Sequence, residues 1–234
     1  MSGLVDASPR PRQRQRPDRG QRVLDVAVAA LLLVLAAPVI AVVAALVAAR
    51  LGRPVLFRQR RAGLHGRCFD VVKFRTMRPP GPHQSPLDVG DRLTPLGNWL
   101  RATSLDELPT LWNVLRGEMS LVGPRPLLPE YLDRYSPWQA RRHEVRPGMT
   151  GLAQIRGRNS LSWAEKLDLD VEYVDTRSLR LNLSILLATV RPVLRREGIS
   201  APGHATAPEF LGTGVDVRTA GSDHGMATPS GGAR

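Results

Sequence analysis

Residues 26–49 form an unbroken run of 24 apolar positions, with no charged or polar side chain among them. As a helix this run is about 36 Å long at roughly 1.5 Å per residue, against about 30 Å of bilayer hydrocarbon. A helix buried in a soluble core normally keeps one polar face, and this run has none. A cleavable signal peptide would be shorter and followed by a small-residue cleavage site, so a membrane segment is predicted. Pro38 stands at its midpoint, where a missing N–H removes a helix hydrogen bond and kinks the axis. Arg16, Arg19 and Arg22 flank one end; Arg50, Arg53, Arg58, Arg60 and Arg61 flank the other. Positive charge marks the cytoplasmic side of a membrane segment, and here both ends carry it. Two half-helices of about 18 Å cannot each span, but together they can dip into one leaflet and return. The pattern predicts a re-entrant membrane helix-hairpin over residues 22–50, broken at Pro38. A simple span with a tolerated proline is the alternative.

The periodicity then changes. In residues 53–77 Val55, Phe57 and Gln59 alternate, Gly63 and Gly66 bracket a turn, and residues 68–74 are rich in β-formers. This predicts a β-hairpin. The Pro- and Gly-rich stretch 78–92 reads as a loop, and helical signals return over 93–115. A last apolar helix is expected over 182–197, with Leu183, Leu186, Leu187, Val190 and Leu194 on one face and a basic end. It would rest against protein or against a membrane surface. The fold class expected is α+β, mainly helical with a short β-hairpin. Residues 1–21, rich in Pro, Arg and Gln, read as a disordered basic N-terminus; 51–200 as the folded domain; and 201–234 as a flexible tail.

Charge sharpens this picture. The chain of 234 residues carries 33 Lys and Arg against 21 Asp and Glu, a net +12. Six arginines against Asp6 and Asp18 fall in residues 1–22, and two against three acids fall in 201–234. Residues 23–200 therefore keep +9, so the folded part itself should attract phosphates or anionic lipid. A lone cysteine, Cys68, excludes an internal disulfide and a cysteine zinc site, and its place in a strand-like stretch reads as packing. Base-stacking aromatics in series are missing, as is any helix-turn-helix signature, which argues against nucleic acid.

The densest chemistry lies in residues 100–126, where Asp106 and Glu107 are adjacent and Arg101, Arg116 and Arg125 are near in sequence. Ser104-x-x-Glu107 matches a capping box, in which the carboxylate only closes a helix start. Pro109 alternatively fits the first position of a new helix. Either arrangement places the acids by a helix N-terminus, where an ionised Asp can act as a nucleophile or hold Mg²⁺ against phosphate. Residues 122–126, VGPRP, fix one arginine between two prolines, a geometry suited to a phosphate and equally to a plain surface turn. Gly148, Gly151 and Gly157 with Arg146, Arg156 and Arg158 could cradle an anion, although no Walker or dinucleotide pattern is present.

In order, KFRTM (73–77), SLDELPTLWNVLRGEMSLVGPRP (104–126), RPGMTGLAQIRGRNSLSW (146–163) and YVDTRSL (173–179) closely resemble the bacterial sugar transferase family. These are monotopic polyprenyl-phosphate phosphoglycosyl transferases, and the resemblance covers about residues 22–200, in the small catalytic form. It implies that 51–200 is a cytosolic catalytic domain at the bacterial inner (cytoplasmic) membrane. Asp106 would attack the β-phosphate of a UDP-sugar and expel UMP. Undecaprenyl phosphate would then take the phosphosugar from the aspartyl intermediate. Glu107 matches the second acid, and Asp106 and Glu107 would hold Mg²⁺. Lys73, Arg75, Arg101 and Arg125 are implied as substrate phosphate ligands. A homodimer is compatible with the resemblance. Relatives commonly carry Ser-Pro at the membrane break, where this chain has Ala37-Pro38. Alanine has no hydroxyl to satisfy the carbonyl that proline frees. A non-catalytic, membrane-anchored basic binding protein is the competing reading, and the family motifs do not identify the sugar.

Overall fold

The computed structural model describes residues 19–79, 92–157, 160–195 and 209–212. The basic N-terminus expected over 1–21 lies outside these except for its last three residues, as does the 78–92 loop apart from its ends. Helix α1 spans Arg19–Leu51, 33 residues, and is the one described helix long and apolar enough to cross a membrane. Pro38 lies inside it, so the expected break does not divide it into two elements.

Helix α1 is anchored on the rest of the fold at both ends. Near its start, Gln21 donates to the Ser120 hydroxyl at 2.9 Å. Arg22 donates to the carbonyls of Val114 and Leu115 at 2.6 and 2.7 Å. The buried carboxylate of Asp25 accepts from the Ser120 hydroxyl and the Leu121 N–H. Ala29 then enters the main core with Val71, Leu111, Val114, Tyr173 and Ile185. Near its end, Val43 and Val47 pack in a second core with Phe74 and Leu100. Between these anchors Val34 and Leu35 are 72 and 65% exposed, on a segment with no polar side chain.

Strands β1 (Leu56–Ala62) and β2 (Cys68–Phe74) form the predicted antiparallel hairpin, with Phe57 opposite Lys73. Its turn works because His65 and Gly66 both take positive φ, 53° and 72°. Helix α2 (Pro95–Ala102) starts on Thr94, whose hydroxyl accepts from the Gly97 N–H, with Pro95 at its first position. A 3₁₀ segment, Leu105–Thr110, leads into α3 (Leu111–Arg116), which Gly117 ends at φ 82°. Strands β3 (Ser120–Val122) and β4 (Gly148–Thr150) pair in parallel beneath α1. A Cβ on Gly148 would lie 2.1 Å from the Gly123 nitrogen, so a side chain there would part the strands.

The remaining helices are α4 (Pro137–Ala140), α5 (Leu152–Arg156), α6 (Trp163–Thr176) and α7 (Leu179–Arg195). The apolar face expected of α7 is for the most part not covered by protein. Asn182 and Ile185 are buried and Leu186 packs on the core, whereas Leu183, Leu187 and Val190 are exposed; Leu194 lies outside the described side chains. A helix apolar on several sides does not encode which side is covered. Within the tail expected over 201–234, residues 209–212 are described, and there Phe210 is buried at 2% exposure.

Candidate active site

Asp106 and Glu107 lie in the 3₁₀ segment between α2 and α3, not at the start of an α-helix. Ser104, just before it, has φ 57° and makes no side-chain cap, so the capping box is not formed. Pro109 sits inside the segment, and α3 begins two residues later at Leu111. A left-handed serine costs roughly 1–2 kcal/mol, a strain of the kind that collects at functional turns.

This segment is clamped to the outer edge of the hairpin. The Thr110 hydroxyl donates to the Val72 carbonyl at 2.9 Å. The Asn113 side-chain amide accepts from the Val72 N–H and donates to the Asp70 carbonyl, at 3.1 and 2.7 Å. Asn113 thus occupies the hydrogen-bonding place of a third strand. The clamp brings Lys73 to the acids: its ammonium lies 2.5 Å from Glu107 Oε1. Arg125 reaches the same oxygen at 3.1 Å from the VGPRP turn. Burial opposes ionisation of Glu107, but these two cations outweigh it and hold the carboxyl well below the usual carboxylate range.

Asp106 behaves oppositely. It is 8% exposed, and burial together with the neighbouring Glu107 charge pushes its carboxyl up to about 6 against the pull of Lys73, Arg101 and Arg125. Two adjacent acids are thereby driven apart, a signature of assigned chemical roles. Arg101 donates to the Thr76 hydroxyl at 3.1 Å and feels both carboxylates. Lys73, Arg101, Asp106, Glu107 and Arg125 are therefore brought together.

Arg75 is not among them. Its guanidinium donates to the carbonyls of Leu51, Gly52 and Arg53 at the end of α1, so it closes a helix terminus. Pro38 is likewise remote, on the exposed stretch of α1. The glycine-rich stretch is not shaped as an anion cradle: Gly148 and Gly151 admit the backbone at Gly123, Arg146 donates to the Gly117 carbonyl, and Arg156 pairs with Glu172. Arg158 lies outside the described residues.

Residue order alone does not reveal what fixes Arg125. Arg142, on the 3₁₀ turn Arg141–Glu144, donates to the Arg125 carbonyl at 2.6 Å. It is held by Asp170 of α6 in an ion pair of 2.8 Å, both side chains being almost fully buried. Removing one member of such a pair costs about 3–5 kcal/mol. Arg142 and Asp170 are 28 residues apart and carry no local signal.

Among the described residues no group of three or more His, Cys, Asp or Glu side chains could hold a metal alone. Magnesium does not require one: it takes one or two carboxylates and completes its shell with substrate phosphates and water. Asp106 and Glu107 meet that donor set, with both cations converging on Oε1 of Glu107.

The chain matches the family described as "Bacterial sugar transferase" over residues 17–196. A Bacillus subtilis (strain 168) protein named "Uncharacterized sugar transferase EpsL" is 50% identical over 195 residues, covering 83% of this chain and 96% of that protein. The UDP-glucose:undecaprenyl-phosphate glucose-1-phosphate transferase of Caulobacter vibrioides is 46% identical over 195 residues, covering 79% of this chain and 73% of that protein. Exopolysaccharide production protein ExoY of Rhizobium meliloti (strain 1021) is 37% identical over 196 residues, covering 76 and 87%. The match runs from the first turn of α1 to the end of α7 and takes in every residue of the acid–cation cluster, and the chain belongs to the bacterial sugar transferase family.

Proposed function

We propose that this chain transfers a sugar-1-phosphate from a UDP-sugar to undecaprenyl phosphate, releasing UMP, as the first membrane step of exopolysaccharide or related glycan assembly. The observation that carries the reading is the paired acids with their cations: Lys73 and Arg125 meet Glu107 Oε1 at 2.5 and 3.1 Å, beside Asp106, whose carboxyl burial pushes up to about 6. The Caulobacter relative, whose name states this reaction for glucose, supports it.

In the first step an ionised Asp106 oxygen attacks the β-phosphorus. The bond from that phosphorus to the bridging oxygen breaks, and UMP leaves with the electron pair. In the second step a phosphate oxygen of the lipid attacks the same phosphorus and the Asp106 carboxylate is released. Arg125, half-exposed, offers donors to the incoming diphosphate while Lys73 keeps Glu107 neutralised. Arg101 adds positive charge on the Asp106 side. Mg²⁺ held by Asp106 and Glu107 would supply further neutralisation of the phosphate oxygens.

The same reading places α1 in one leaflet of the inner membrane, with the domain on the cytoplasmic face. Its two ends pack on one domain, through Asp25 and Ala29 at one end and Val43 and Val47 at the other. A spanning helix would have to pull one of those ends about 30 Å away. The apolar stretch around Pro38 is what remains to enter lipid, and Pro38 leaves the Val34 carbonyl without its helix partner, which favours a bend there.

Incubating detergent-purified protein, freed of membrane lipid, with a β-³²P-labelled UDP-sugar tests the reaction. Wild type is expected to release UMP and retain label on the protein; Asp106→Asn is expected to do neither. Undiminished UMP release by Asp106→Asn would sink the nucleophile assignment.

A further inference from the structure

Residues 209–212 pack on the folded domain through Phe210, which is 2% exposed. Phe210 enters an aromatic pocket whose ring centroids lie 5.3 Å away for Trp163, 5.5 Å for Tyr135 and 5.7 Å for Tyr131. Tyr135 stacks on it with planes 25° apart, whereas Tyr131 meets it edge-on, and Leu167 and Leu128 close the same cluster. Both arrangements are favoured aromatic geometries. Arg134 fixes the direction of the segment, donating to the Glu209 carboxylate at 2.7 Å and to the Phe210 carbonyl at 2.5 Å. Gly212, at φ 104°, then turns the backbone, a conformation that a side chain would oppose.

The pocket is joined to the acid–cation cluster. The Arg142 guanidinium lies over one of Phe210's ring partners, Tyr135, at 5.7 Å, with Nη1 3.5 Å from the Tyr135 hydroxyl. Arg142 holds the Arg125 carbonyl, and Arg125 holds Glu107. We infer that the 209–212 segment is a built-in ligand of the catalytic domain, and that Phe210 is a positioning residue which acts through Tyr135 and Arg142 on Arg125. Without Phe210, Tyr135 loses its stacked neighbour and water reaches the Arg142 face. The turn carrying Arg125 then loses a fixed point. The effect falls on binding of the phosphate donor, because Arg125 contacts the carboxylate cluster and not the attacking atom.

The kinetic part of this inference rests on the reaction proposed above; the docking part does not. Both are tested on the full-length chain. Phe210→Ala is expected to raise KM for the UDP-sugar about three- to tenfold, the size of one aromatic pair, with kcat nearly unchanged. Phe210→Trp, which refills the pocket, should restore most of it. A fluorescein-labelled capped peptide, PEFLGT, should bind the Phe210→Ala chain by anisotropy and bring KM back down, whereas PEALGT does neither. The wild-type chain should not bind the peptide, because its own tethered segment competes at an effective concentration on the order of mM. Unchanged kinetics in Phe210→Ala overturns the positioning role, as does a fall in kcat and melting temperature at constant KM. Failure of PEFLGT to bind Phe210→Ala overturns the docking. A wild type that releases no UMP overturns the proposed reaction, and peptide binding alone then decides this inference.

Discussion

A carboxylate that attacks phosphorus must be ionised, yet Asp106 sits where burial and Glu107 both resist its charge. The consequence is a stability cost with a definite pH dependence. The folded-state value is about 6 and the ordinary one 3.8, so protonated Asp106 favours folding at low pH, and this contribution is lost as pH rises through about 6. Asp106→Asn should therefore melt a few degrees higher than wild type at pH 8, at about 2–4 °C per kcal/mol, and the gap should close below pH 4. Thermal melts at the two pH values check this. Wild-type UMP release should rise along an acidic limb near pH 6, read from a kcat/KM profile. At this scale the sequence names Asp106, Glu107, Lys73, Arg101 and Arg125 together, and the fold brings these five side chains to one place. The sequence misreads Ser104 as a cap, since a capping pattern and a strained turn share the same letters. Arg75 stands apart from that cluster, its guanidinium taken up by carbonyls 22–24 residues away.

Between elements, the decisive joint is the seam where Asn113 substitutes for a missing strand beside β2. Its amide makes three hydrogen bonds, to Val72, Asp70 and Glu118, and the residue is 1% exposed. Asn113→Ala leaves a backbone N–H and carbonyl unpaired, and is expected to destabilise the fold by about 2–4 kcal/mol, measurable by chemical denaturation. It should also reduce UMP release, because the seam is what brings Lys73 to Glu107. The hairpin and α1 were legible, since alternation, paired glycines and an uninterrupted apolar run leave few alternatives. Strands β3 and β4 were not: three residues each carry no period, and their pairing depends on Gly123 and Gly148 approaching from 25 positions apart. Which side of α7 meets protein was left open by its sequence, because apolar residues occupy several sides of the helix.

For the molecule as a whole, charge and anchoring together determine orientation. In the proposed arrangement a basic domain with an apolar helix fastened to it at both ends is drawn to an anionic membrane surface. With Cys68 replaced by alanine, single cysteines placed beside Arg19 and beside Arg53 should react with an impermeant reagent from the same side of inverted membrane vesicles. Labelling from opposite sides means that α1 spans. Re-entry was inferred from flanking arginines; the anchoring that supports it depends on Gln21, Arg22 and Asp25 finding partners about a hundred residues away, which no local pattern encodes. The end of α1 has a mechanical meaning as well. Arg75 grips its last carbonyls, and two residues earlier Lys73 grips Glu107. If α1 enters the bilayer as proposed, its depth would set the height of the acid–cation cluster above the lipid, so that cluster and lipid phosphate would rise and fall together as the bilayer thins or thickens.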